Sequence, residues 1–255
     1  MIAWEEHGAG PAVMFLHGVG LDREMWRRCH ADIRDAHRVV LADLPGHGAS
    51  APAPPDVTLG DLAATTAAAI TEPVHLVGFS LGALVAAELA LSAPERVRSL
   101  TLVNAVANRS DEERAAVRDR LRTAGDAFEA GVERSLDRWF SPSWTVEEPE
   151  LREEVRATLL GTDRSSYLAC YRVFAEADAE LWPRLPAITA PTLAITGSDD
   201  SGSTPAMTRA LAARIPRATA VVVDGARHLL PLERPAALME PLLRHIRSTD
   251  DHSDH

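Results

Sequence analysis

Leu76-Val77-Gly78-Phe79-Ser80-Leu81-Gly82-Ala83 decides the fold of this 255-residue chain. Apolar, β-type residues lead in from Val74, and small or apolar residues follow in Leu84-Val85-Ala86-Ala87. The run reads as a strand, a tight turn with Ser80 at its apex, and a helix start. That is the Gly-x-Ser-x-Gly pattern in the strand-to-helix context that gives it chemical meaning. A chain that reverses so sharply presses its own backbone against the positions flanking the serine, so a Cβ at Gly78 or Gly82 has no room. Ser80 itself is expected in strained φ/ψ, with Oγ lifted clear of the sheet.

The same alternation extends to both sides. Ala12-Val13-Met14-Phe15-Leu16 and Arg38-Val39-Val40-Leu41-Ala42 read as buried strands. A helix is predicted over Leu59–Ile70, a strand over Val74–Phe79, a helix over Leu81–Ser92 and a strand over Val97–Val103. This rhythm defines an α/β protein: a mostly parallel central sheet flanked by helices. Its strands are continuously apolar rather than alternating, so both sheet faces are covered. Residues 108–186 break the rhythm with helical patterning, dense charge and most of the aromatics, and read as a helical insertion over the sheet. Strands return at Thr192–Thr196 and Ala218–Val223, with helices over Thr204–Arg214 and Ala236–Ile246. The core is therefore assigned to residues 1–107 and 187–247, and the acidic tail 248–255 is expected to be disordered.

Composition excludes several functions. A net charge of −11 leaves no basic patch to offset nucleic-acid phosphate, and all 26 basic residues are arginine. Without a lysine there is no Schiff base and no P-loop lysine. Cys29 and Cys170 have no metal-like spacing, and neither a disulfide framework nor a metal is expected. The N-terminus lacks the charged-then-apolar pattern of a signal peptide, and no apolar run approaches a membrane span. The expectation is a cytoplasmic protein acting on a small molecule, with no nucleic-acid or membrane partner and no cofactor.

A serine hydroxyl is a poor nucleophile without a base, and the base needs a group that holds it. An acid and then a histidine are expected, in that order, after later strands. The strand Thr192–Thr196 runs into Gly197-Ser198-Asp199-Asp200, and Ala218–Val223 runs into Asp224-Gly225-Ala226-Arg227-His228. His228 is the expected base. Asp200 is favoured over Asp199 as the acid, while Asp224 sits too near its strand end and suits a turn. Asn104, at the end of an earlier strand, is an amide and cannot balance an imidazolium. Leu16-His17-Gly18-Val19-Gly20 brings backbone close to the serine, so the N–H groups of Val19 and Leu81 are expected to form an oxyanion hole. His17 is expected to brace that loop, and Arg227 to face solvent.

Together with Asp43-Leu44-Pro45-Gly46-His47-Gly48-Ala49-Ser50 and Glu233-Arg234-Pro235, these motifs make the chain resemble an α/β-hydrolase over nearly its whole length. Within that superfamily it is most similar to the 3-oxoadipate enol-lactonase group, through Met25-Trp26, Leu136-Asp137-Arg138-Trp139-Phe140-Ser141-Pro142 and Tyr167-Leu168-Ala169-Cys170-Tyr171. Met1 falls where the second strand of that fold usually begins, so the first is expected to be missing. The resemblance implies an ester or enol-lactone hydrolase working through an acyl-enzyme on Ser80, with no metal or cofactor. It also implies cap residues that choose the substrate: Arg134, Arg138 or Arg172 against an anion, and Trp139 and Phe140 as an apolar wall. A C–C bond hydrolase, a cofactor-free lyase or cyclase, and a non-catalytic ligand-binding homologue remain alternatives on the same scaffold.

Overall fold

The computed structural model describes residues 1–29, 31 and 33–253, without side-chain detail for 252 and 253. The strands are β1 (Trp4–His7), β2 (Ala12–Leu16), β3 (Arg38–Ala42), β4 (Val74–Phe79), β5 (Val97–Val103), β6 (Thr192–Gly197) and β7 (Ala218–Val223). They form a single sheet in the order β1-β3-β2-β4-β5-β6-β7. β1 pairs antiparallel with β3, and every other pairing is parallel. The α/β expectation is met. The central strands β2, β4 and β6 are buried at every position, as continuous apolar runs require. The edge strands are not: β1 is largely exposed, which is why Trp4-Glu5-Glu6-His7 carries no apolar strand signal.

The first half of the sheet carries α1 (Leu59–Ala67) and α2 (Leu81–Ser92). α1 ends three residues short of its predicted Ile70, while Thr58 and Asp61 start it with a reciprocal capping box. α2 is apolar on all sides and buried from Leu81 to Ala90, because it packs on β4 and β5 and also under a helix of the insertion. Between β5 and β6 come α3 (Asp111–Asp126), α4 (Phe128–Trp139), α5 (Pro142–Glu147), α6 (Pro149–Gly161) and α7 (Arg164–Leu181). The chain closes with α8 (Pro205–Arg214), the short α9 (Leu230–Glu233) and α10 (Pro235–Ser253).

The tail corrects an expectation. Residues 248–253 are not disordered but continue α10. Asp250 explains the order. One carboxylate oxygen lies 3.0 Å from His75 Nε2 and the other 3.2 Å from His37 Nε2, so the helix end is tied to the sheet. Asp254 and His255 lie outside the described residues. Cys29 and Cys170 are both buried, and burial pushes the Cys170 thiol up to about 12.

Parallel pairing brings the ends of β2, β4, β6 and β7 to one edge of the sheet, where ligands of such sheets bind. The turn after β4 is the tightest constraint there. A Cβ at Gly78 would stand 2.2 Å from the Gly82 carbonyl oxygen, and one at Gly82 would stand 2.5 Å from the carbonyl oxygens of Leu16 and His17. Backbone cannot retreat as a side chain tip can. Gly78→Ala should therefore lower the free energy of unfolding by more than about 3 kcal/mol in urea titrations. Gly125→Ala, in a position with nothing within 4 Å, should stay within about 1 kcal/mol of the parent protein.

Candidate active site

Ser80 sits at φ 52°, ψ −110°, a conformation costly for any residue with a Cβ and held here by the surrounding packing. Its own N–H donates to the Val103 carbonyl at 2.9 Å, which fixes the turn to β5. Leu81 is the first residue of α2, so its N–H has no intrahelical acceptor. Gly18 lies against the Phe79 ring and the Ser80 Cβ, which sets Val19 beside the serine. Val19, Ser80, Asp200 and His228 line a single pocket. The geometry thus brings together the serine, the acid, the histidine and both loops from which oxyanion donors were expected.

Asp200 is buried, and both oxygens are fully used. Oδ1 accepts from the backbone N–H of Gly202 at 2.8 Å and of Ser203 at 2.9 Å. Oδ2 faces His228 Nδ1 at 2.7 Å and accepts from Asn104 Nδ2 at 2.7 Å. Burial alone would push this carboxyl up. The adjacent His228 and the hydrogen bonds from Ser203 and Asn104 outweigh it and hold the carboxyl below its ordinary value. Asp199 is exposed and takes a bond from Ser198 Oγ, and Asp224 is exposed in a turn, so neither reaches the histidine. Asn104 is not the acid, as expected, but it supports the acid. It adopts a positive φ of 47° at the end of β5, a placement its sequence position does not announce. The His228 ring packs between Phe79 at 5.0 Å and Trp139 at 5.7 Å, with Nδ1 turned to the carboxylate.

Two more histidines build the loop after β2. His17 Nδ1 lies 2.7 Å from the Gly18 carbonyl, while Nε2 accepts from the Leu44 N–H at 2.9 Å. His47 Nδ1 lies 3.1 Å from the Pro45 carbonyl, and Nε2 accepts from the Gly20 N–H at 2.8 Å. Both rings are therefore neutral Nδ1–H tautomers, set by their backbone partners. His17 braces the loop as anticipated, and His47 does so as well. Asp43 anchors the turn beneath them by accepting from the N–H groups of Arg23 and Ala49, both at 2.9 Å.

The insertion roofs the pocket, and it sorts the expected substrate-binding residues. Arg138 and Trp139 line it. Arg134 does not; it is exposed and borders a neighbouring chamber of about 210 Å³ that shares Arg120, Arg138, Tyr167 and Tyr171 with the pocket. Arg172 is turned away and donates to the carbonyls of Pro55 and Val57, so it is spent on holding a loop. Phe140 is buried and stacks on Trp144 at 4.5 Å instead of facing the pocket. Arg227 is half-buried and does not line the pocket. It donates to the carbonyls of Asp137 and Phe140, both at 3.0 Å, at the end of α4. Glu233 joins the same seam, accepting from the N–H groups of Arg227 and Ser141.

Sequence reasoning missed Arg120. It sits in the charged run of α3, where such residues usually face water, yet it reaches the pocket wall. Among the described residues neither Arg120 nor Arg138 has a carboxylate partner; Arg138 has only the Ser135 hydroxyl at 3.5 Å. Burial, and then the neighbouring Arg120 charge, lower the Arg138 pKa from its ordinary value. The two cations share the pocket with one carboxylate, Asp200, which is already bonded to His228 and Asn104. Arg109 is different, because Asp178 neutralises it at 2.9 Å.

This architecture has known relatives. Residues 13–240 match the model of the alpha/beta hydrolase family, and the chain belongs to that family. It is an α/β-hydrolase enzyme. It is 30% identical to an (E)-2-((N-methylformamido)methylene)succinate hydrolase of Acinetobacter baylyi, over 96% of this chain and 93% of that one. It is 28% identical to a 3-oxoadipate enol-lactonase of the same organism, over 89% of this chain and 85% of that one. The enol-lactonase structure from Burkholderia xenovorans superposes with a TM-score of 0.86 at 26% identity, covering 96% of each chain. The similarity to the enol-lactonase group anticipated from the motifs is thus found in both sequence and structure.

Two predictions follow from this geometry. Burial pushes His17 down to about 4 and His47 to about 3. Unfolded, these imidazoles take up protons near about 6.5, so the unfolded state binds more protons as pH drops from there toward 4, and stability falls with it. The melting temperature should drop by at least about 5 °C between pH 7 and pH 5, and a flat profile would contradict the assignment. Separately, Asp200→Asn should cut kcat on a nitrophenyl ester by about 10⁴-fold, while Asp199→Asn should change it less than about threefold.

Proposed function

We propose that this chain is a serine hydrolase that opens an ester or enol-lactone of a small carboxylic acid, with the substrate's carboxylate held at Arg138. The observation that carries the reading is the unneutralised pair Arg138 and Arg120 facing the Ser80–His228 pocket. A half-buried cation with no carboxylate in contact is costly, and an anionic ligand is what would offset it. The relatives' names fit this reading, since a succinate derivative and 3-oxoadipate enol-lactone are carboxylates.

In this mechanism Ser80 Oγ attacks the carbonyl carbon and its proton passes to His228 Nε2. Asp200 stays ionised and holds Nδ1–H, which stabilises the imidazolium. The N–H groups of Val19 and Leu81 take the oxyanion of the tetrahedral intermediate. Collapse expels the alcohol or enol oxygen, which His228 protonates. An enol is the better leaving group, and in a lactone it stays tethered to the acyl chain. His228 then draws a proton from water, whose attack on the acyl-enzyme frees the acid and restores Ser80. No metal or cofactor takes part in these steps. Trp139 and Phe79 keep water off the histidine faces.

The test is a substrate panel: a neutral nitrophenyl ester, a carboxylate-bearing enol-lactone and a meta-cleavage dienoate. Ser80→Ala should lower turnover of whichever substrate is used by about 10³–10⁶-fold. Arg138→Met should raise KM for the carboxylate-bearing lactone at least about tenfold and leave the neutral ester within about threefold. Equal losses on both substrates would remove Arg138 from carboxylate recognition. Serine-dependent cleavage of the dienoate alone would make the enzyme a C–C hydrolase.

A further inference from the structure

At the edge of the sheet opposite Ser80, three side chains from three separate parts of the chain converge. His37 directly precedes β3, His75 is the second residue of β4, and Asp250 lies in the last turn of α10. His75 and Ser80 are five residues apart along β4 and its turn, about 16 Å of extended chain, so this cluster takes no part in the proposed chemistry. The histidines are buried and Asp250 is partly exposed at the rim.

The geometry points to a divalent transition-metal site, of the Zn²⁺ type, formed by His37 Nε2, His75 Nε2 and the Asp250 carboxylate. Two imidazoles and one carboxylate are a donor set that such ions take, with water completing a tetrahedron. The spacing suits it. Metal–ligand bonds near 2.0–2.2 Å give tetrahedral donor–donor edges of about 3.3 Å. Here His75 Nε2 lies 3.0 Å from one Asp250 oxygen and His37 Nε2 3.2 Å from the other, so the carboxylate spans the two rings, and one donor atom from each residue lies within 4.8 Å of the other two. Bringing the donors onto a common ion requires a small rotation of the carboxylate and the imidazoles.

Three surroundings support the site. Ser99 Oγ meets His75 Nδ1 at 2.8 Å, the outer hydrogen bond that orients a metal-ligating histidine and fixes its tautomer. Once Nε2 carries the metal, His75 becomes the Nδ1–H tautomer and the serine oxygen accepts. His37 Nδ1 is buried without a partner, and the ring is held by the Asp250 contact and by edge packing on His75 at 5.9 Å. Asp250 and Asp251 also occupy the C-terminal turn of α10, where the helix dipole opposes negative charge and favours a cation. The charged group facing the cluster is Arg98, 3.8 Å from one Asp250 oxygen and partly exposed. It partly offsets the carboxylate and would move outward when an ion binds. The ion would clamp the end of α10 to β3 and β4.

The test uses tag-free, full-length protein stripped with EDTA and titrated calorimetrically with ZnCl₂. The expected result is one Zn²⁺ per chain, with the melting temperature raised on the order of 5 °C at saturation. Co²⁺ in place of Zn²⁺ should give the intense visible bands of a tetrahedral ion. His37→Gln and Asp250→Asn should each weaken binding at least about tenfold and abolish those bands. Ser99→Ala touches no metal and should still weaken binding about tenfold, a loss that adventitious surface binding would not show. Circular dichroism checks that each variant is folded. No stoichiometric binding to the parent protein would overturn the site. So would binding that survives both ligand substitutions, because the ion would then lie elsewhere, at Asp200–His228 for example.

Discussion

The Asp200 carboxylate is the interaction on which the rest of the site depends. It is 3% exposed and carries four hydrogen bonds, two from the loop it begins, one from Asn104 and one from His228. A charge buried this deeply is tolerable only with every lone pair occupied. The donors come from three stretches of chain: the turn after β6, the end of β5 and the turn after β7. Removing any one of those strands from register would strand the carboxylate. The need to satisfy one ion therefore fixes the relative placement of three strand ends, and His228 takes its orientation from the same bonds.

The legible parts of this protein are those where backbone sterics or strand order leave one solution. Gly78 and Gly82 could be read because a close backbone approach allows no Cβ, and the structure shows contacts of 2.2 Å and 2.5 Å there. Asp200 could be chosen over Asp199 because adjacent residues point in opposite directions, and one of the two faces water. The illegible parts depend on where a long side chain ends up. Arg138, Arg172 and Arg227 look alike in sequence. One faces the pocket, one holds loop carbonyls, and one ties the end of α4 to the histidine turn. Arg120 is hidden in a run of charges that reads as a solvated helix face. The tail fails for a similar reason: Ser248-Thr249-Asp250-Asp251 is polar enough to look disordered, and its order comes from two histidines about 175 and 213 residues earlier.

The outer surface and the pocket have opposite electrostatic character. The chain carries a net charge of −11, yet the wall above the serine presents Arg120 and Arg138. Repulsion by the exterior acts over long distances and is screened beyond about 8 Å at physiological salt. The attraction of the arginines acts at close range, in a pocket where water screens less. The sign of the potential thus reverses between the general surface and the pocket wall.

The seam between Arg227, Glu233 and the segment Asp137–Ser141 has a mechanical consequence. Three hydrogen bonds fasten the end of α4 to the turn that carries His228 and to Glu233 just after it, Leu229 N–H adds a fourth to the Trp139 carbonyl, and the Arg227 N–H bond to Glu233 braces the turn itself. That border of the roof cannot lift without dragging the histidine off its carboxylate. The end of α4 and the His228 ring therefore move as one body, and a displacement of either is a displacement of both.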